Sequence, residues 1–198
     1  MKIKLVFIRH GETESNQKKV MSGHYDTQLS DYGKKELMAL REQLNYPETD
    51  MYFSSDLSRA VETFNILYAP KQLDKTLVEF RETYFGQFEQ QPIHKAIDLF
   101  YDAFLNNQDM FEIENYNDLK QRLLQGINKV LKILTDNKKS SATVVCHNGV
   151  IRMIHHLVTE SPLTKYRDVT IHNGKGLVVN LEVTEEIDIL SKTCTFFE

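Results

Sequence analysis

Between Ile3 and Ile8 only Lys4 interrupts an apolar block rich in large and β-branched side chains, the pattern of a strand buried on both faces. The block stops at Arg9-His10-Gly11, and small polar residues follow. Residues 17–29 are polar and contain Gly23, which predicts a loop. Ser30 then stands at a helix N-cap, ahead of Leu37, Leu40 and Leu44 on one face, and Asn45 and Pro47 close that helix. Met51-Tyr52-Phe53 predicts a second buried strand. It ends in Ser54-Ser55-Asp56 and feeds a helix carrying Leu57, Val61, Phe64 and Leu67, which stops before Pro70.

The stretch from Leu77 to Phe88 is less regular and holds Glu79, Arg81, Glu82 and Gly86. Pro92 to about Leu105 predicts a helix followed by a loop. The clearest amphipathic pattern lies between Asn117 and Thr135, with Leu119, Leu123, Leu124, Ile127, Val130, Leu131 and Leu134 at helical spacing. Ala142 to Cys146 predicts another buried strand, and His147-Asn148-Gly149 leads from it into a helix through Ile151, Ile154 and Val158. Gly174 and Gly176 precede strand-like runs from Leu177 to Val183 and from Ile187 to Leu190. Strands alternating with helices predict an α/β fold, a three-layer αβα sandwich with a mostly parallel central sheet.

Composition narrows the class without changing that picture. At 198 residues the chain predicts one domain, 1–198, with a partly helical insertion within it. A hydrophobic fraction of 41%, a charged fraction of 26% and a net charge of −4 give no extended field favouring nucleic acid or an anionic membrane. Cys146 and Cys194 form no CxxC, and no apolar run matches a signal peptide or a membrane span. A cytoplasmic protein without a disulfide framework is the expectation.

Three strand-to-helix junctions share one design. The first strand ends in Arg9-His10, the second leads into a helix bearing Arg59, and the 142–146 strand ends in His147. If these strands are parallel and adjacent, the junctions meet at one edge of the sheet, where open α/β sheets bind ligands. Any one of these residues is as readily a structural hydrogen bonder. Together they predict an anion site, and paired guanidinium donors favour phosphate.

The residues around these junctions resemble the histidine phosphatase superfamily in its phosphoglycerate-mutase-like branch (branch 1). Arg9-His10-Gly11-Glu12-Thr13 with Asn16 is similar to that family's signature, and Gly23 to Ser30 to its glycine-containing loop. Ser54 to Ala60 with Thr63 matches the segment of the second arginine, Phe80-Arg81-Glu82 to Glu89 the segment of the acid, and Val144 to Arg152 the second-histidine segment. The resemblance implies that His10 attacks phosphorus and carries a phosphohistidine. It implies that Arg9, Arg59 and His147 hold the phosphoryl oxygens, with Gly11, Thr13, Asn16, Gly23 and Asn148 on the phosphate-binding surface. The arginines supply the positive charge, so neither a metal nor a cofactor is expected, and the expected partner is a small phosphorylated substrate.

Glu82, four residues before Gly86, is the implied acid/base, a role that asks for a carboxyl group titrating near working pH. Glu79 is its rival and lacks the motif match. Glu82-Thr83-Tyr84-Phe85-Gly86 departs from the Glu-Arg-His-Tyr-Gly run of dedicated mutases, which favours a phosphatase over a mutase or a non-catalytic phospho-ligand binder. Further departures are Gln28 for the usual proline, Gln90 for glycine, and the lack of Gly-Glu-Ser ahead of the 117–135 helix. Residues 90–118 match the family poorly and are expected as a variable cap over the site; aromatic residues crowd positions 84–116, either to select the substrate or simply to pack against the sheet. His155 and His156, consecutive on a helix, form no i, i+4 metal pair. His24 and His172 fall in loops with no role fixed, and Gly174-Lys175-Gly176 reads as a turn before a strand.

Overall fold

A computed structural model describes residues 1–184 and 186–197. In chain order it holds β1 (Lys2–Arg9), α1 (Glu14–Lys18), α2 (Asp31–Gln43), β2 (Met51–Ser54), α3 (Ser58–Tyr68) and β3 (Lys75–Thr76). These are followed by α4 (Ile93–Leu105), α5 (Tyr116–Asp136), β4 (Ser141–Cys146), α6 (Asn148–Thr159), β5 (Gly176–Val183) and β6 (Ile189–Phe197). The strands form one six-stranded sheet in the order β3-β2-β4-β1-β5-β6. β1 and β2 both pair parallel to β4, and β3 pairs parallel to β2. β5 pairs antiparallel to both β1 and β6, so it alone runs against the rest.

The opening apolar block is buried on both faces. Ile3, Leu5 and Phe7 join a core that includes Leu123, Leu131 and Leu134 of α5 and Ile151 of α6. Val6 and Ile8 point the other way, into a second core with Leu37 of α2 and Phe64 of α3. That alternation makes the three-layer sandwich, with α5 and α6 on one face and α2 and α3 on the other. Each such buried side chain contributes about 1.5–3 kcal/mol. Register then aligns the strand ends: Arg9 stands beside Cys146, and Ser54 beside Val145. All three junctions therefore open at one edge of the sheet.

Three elements depart from the sequence reading. Part of the expected 17–29 loop is the end of α1, which Thr13 and Asn16 close with a capping box. β3 has two exposed residues and no apolar pattern to announce it. β6 starts at Ile189 and continues to Phe197, through polar residues that pairing with β5 holds in the sheet. In the aromatic segment the packing role is visible, since Phe100 and Phe104 are core residues; both also border a cavity at the strand ends. Both cysteines are free thiols, Cys146 buried at the end of β4.

Candidate active site

Where β1 ends, His10 keeps its backbone N–H on the Cys146 carbonyl at 3.0 Å and turns its ring out of the sheet. Its Nδ1 lies 2.7 Å from the Gly11 carbonyl oxygen. A carbonyl only accepts, so Nδ1 carries the proton and Nε2 keeps its lone pair. Burial, reinforced by the Arg59 and Arg9 guanidinium groups, pushes the imidazole well below its usual 6.5. The ring is neutral at ordinary pH, and it borders a cavity of about 160 Å³. From behind, the Asn173 side chain donates to the His10 carbonyl at 2.8 Å, and Gly11 N–H donates to the Thr63 hydroxyl at 2.9 Å.

His147 and Arg59 lie fully buried beside this ring, the two imidazole centroids 5.1 Å apart. Arg59 Nε donates to His147 Nδ1 at 3.3 Å, which places the His147 proton on Nε2. That Nε2 and the Arg9 Nε are buried donors without a protein acceptor among the described residues. Buried polar groups are nearly always paired, so two such donors around one imidazole are the chemistry of an anion site. The other Arg59 donors are engaged: Nη1 with the Tyr25 carbonyl, and Nη2 with those of Ser22 and Gly23.

Glu82 approaches the cavity from the turn after Val78–Phe80 and is 8% exposed. Its Oε1 accepts from Thr83 N–H at 2.9 Å and its Oε2 from Gly149 N–H at 3.1 Å, at the start of α6. An amide of the first turn of α6 therefore holds the acid. Glu79, the rival, turns away and pairs with Lys129 on α5. The backbone carrying Glu82 is itself held. Arg122 on α5 donates to the carbonyls of Glu79, Arg81 and Glu82 and forms a bidentate pair with Glu114. His24 Nε2 also donates to the Glu82 carbonyl, at 2.9 Å.

The loop at residues 22–25 is gripped from two sides. Glu89 accepts from the N–H groups of Gly23, His24 and Tyr25, while Arg59 takes the loop's carbonyls. A Cβ on Gly23 would lie 2.2 Å from the Thr83 carbonyl oxygen, so only glycine allows this approach.

Among the expected site residues, Arg9, His10, Asn16, Glu82 and Asn148 meet at the cavity wall. Arg59 and His147 lie behind it, against His10. Gly11, Thr13 and Gly23 do not line the wall, and their polar groups are bonded within the protein: Gly11 to Thr63 and His10, Thr13 to Asn16, Gly23 to Glu89 and Arg59. Asn16 uses its Oδ1 in that cap, which leaves only its amide donors for a ligand. His24 packs at a tilt on Tyr84 with centroids 5.1 Å apart, His155 stacks on Phe196, and His156 packs on Tyr116 and Tyr166, each histidine outside the wall. His172 lines a separate groove. The sequence reading assigned no role to Arg122, Asn173 or Arg152. Arg152 left one signal, a cation among Val150, Ile151, Met153 and Ile154, all of them buried.

Among the described residues, no group of three or more His, Cys, Asp or Glu side chains is arranged to hold a metal ion, and no helix is long and apolar enough to cross a membrane. The fold and the charges of the cavity define an α/β enzyme working on an anionic group. The chain belongs to the histidine phosphatase superfamily (branch 1), whose profile matches residues 5–187. It is 30% identical over 158 residues to phosphoglycerate mutase-like protein 4 of Arabidopsis thaliana, covering 76% of this chain and 69% of that one. It is 26% identical over 170 residues to the metal-independent phosphoserine phosphatase of the same plant, covering 79% and 69%. Its fold is similar to a crystal structure of a putative alpha-ribazole-5'-P phosphatase from Escherichia coli, with a TM-score of 0.77, 22% identity, and 98% and 95% of the two chains covered.

Proposed function

We propose that this protein is a metal-independent phosphatase that hydrolyses a small phosphorylated metabolite through a phosphohistidine on Nε2 of His10. The observation that carries the reading is the fixed tautomer of a buried, neutral His10 beside two buried donors that have no protein acceptor, Arg9 Nε and His147 Nε2. Nε2 of His10 attacks phosphorus, the ester P–O bond breaks, and Glu82 gives its proton to the leaving oxygen. Glu82 then takes a proton from water, whose oxygen bonds to phosphorus as the N–P bond breaks. Arg9 and His147 hold the phosphoryl oxygens, where charge is spread in both transition states. The names of the phosphoserine phosphatase and alpha-ribazole-5'-P phosphatase relatives support hydrolysis of small esters.

The test is rapid quenching with a 32P-labelled phosphomonoester in metal-free buffer. Acid-labile label on the wild-type chain, absent from His10→Ala, is the expected result, with inorganic phosphate as product. Label appearing on another hydroxyl of the same molecule faster than in phosphate would assign a mutase. No covalent label with tight ester binding would leave a phospho-ligand binder.

A further inference from the structure

The cavity holds a second guanidinium that the phosphoryl chemistry does not use. Arg152 is 6% exposed and lines the cavity together with Arg9. Its Nε donates to the Val169 carbonyl at 2.7 Å and its Nη1 to the Tyr101 hydroxyl, while Nη2 has no protein acceptor among the described residues. Arg81, Arg122 and Arg167 each pair with a carboxylate, whereas Arg152 makes no ion pair among the described residues. Arg9 feels its charge as a repulsion. The faces of Tyr101 and Tyr166, 5.6 and 5.8 Å from the guanidinium carbon, offset part of the penalty for burying it.

Two more donors stand in the same wall. The Tyr101 hydroxyl accepts from Arg152, which leaves its own proton to give. The Asn148 Oδ1 accepts from Ile171 N–H at 3.1 Å, which leaves its amide donors. The same lining includes the apolar side chains of Val20, Met21, Ile93 and Phe100. Low polarity there strengthens any pairing of charges. Glu82 is the one acidic residue of the lining against Arg9 and Arg152.

We infer that Arg152, Tyr101 and Asn148 form a second oxyanion subsite, which selects small phosphomonoesters carrying a carboxylate. This deepens the phosphatase reading and rests on it for the position of the phosphoryl group. A carboxylate presents two oxygens in a plane, the geometry that a guanidinium edge and a neighbouring hydroxyl accept. Arg9 and Arg152 line the same cavity, so one small molecule can present its two anions to both.

The test compares 3-phosphoglycerate with glycerol 3-phosphate, which differ only in a carboxylate for a hydroxymethyl group. Binding to the His10→Ala protein, followed by calorimetry, reads the subsite whether or not the chain turns over. The acid is expected to bind at least about tenfold more tightly, as a hydrogen bond to a charged group supports. Arg152→Met is expected to bring the affinity ratio close to one, and Tyr101→Phe, which keeps the ring, to lower it several-fold. Circular dichroism checks that each variant is folded, and the wild-type preference needs no Arg152 variant. Equal binding of the two esters, or a ratio unchanged in both variants, would overturn the subsite. Preserved discrimination in binding with no hydrolysis by the wild-type chain would uphold the subsite and sink the phosphatase reading.

Discussion

Gly149 sits where a single methyl group would separate the acid from its anchor. A Cβ there would lie 2.3 Å from Glu82 Oε1 and 2.9 Å from the Thr83 hydroxyl. Gly149→Ala is therefore expected to push the carboxyl group out of line with the leaving oxygen, lowering kcat by about 10²-fold or more. The melting temperature is expected to move little, because the displaced group is a side-chain end. A variant with wild-type kcat would show that Glu82 does not need this seat. At this scale the sequence was legible wherever a polar residue interrupted an apolar run, as at His10 and His147. It was silent where a side chain serves another residue's backbone. Glu89 accepts from loop amides and Asn173 donates to the His10 carbonyl, and neither bond leaves a spacing to recognise.

Among the elements, α5 carries a function that its apolar stripe conceals. Its period of buried leucines identified the helix correctly, yet the same helix projects Arg122 onto the carbonyls of Glu79, Arg81 and Glu82. Arg122→Met is expected to lower kcat about tenfold or more while KM shifts less, the pattern of a lost transition-state alignment. Arg122→Lys should recover little, since an ammonium cannot span the carbonyls and both Glu114 oxygens together. Parallel losses in kcat and stability, with rescue by lysine, would reduce Arg122 to a structural charge. The strands and long helices were readable because period and apolar run coincide. The α1 helix was not, since five polar residues held by one capping box carry no period.

For the whole molecule, burial of neutral imidazoles ties folding to pH. His10 and His147 are both held well below the ordinary 6.5, by burial first and by neighbouring cations second. The unfolded chain binds those protons near pH 6.5 and the folded chain does not. Their contribution to stability is complete above that value and is lost progressively as pH falls below it. Each site removes up to about 1.4 kcal/mol per pH unit in that window. Urea unfolding between pH 7.5 and 5.0 is expected to show this decline, with a shallower slope in His147→Asn. An unchanged slope in that variant would place the acid sensitivity elsewhere.

The reversed direction of β5 has a consequence for how this site could be re-engineered. In a uniformly parallel sheet, the segment entering that strand would arrive at the edge remote from His10. Running backwards, β5 begins at the catalytic edge and brings residues 160–175 with it. From there Ile171 braces Arg9, Asn173 braces His10, and Val169 orients Arg152. One contiguous stretch thus addresses both the attacking residue and the guanidinium assigned to the substrate's second charge. Exchanging residues 163–170 alone would vary the grip on Arg152 while Ile171 and Asn173 stay in place, so one guanidinium of the cavity can be re-aimed without loosening the hold on His10.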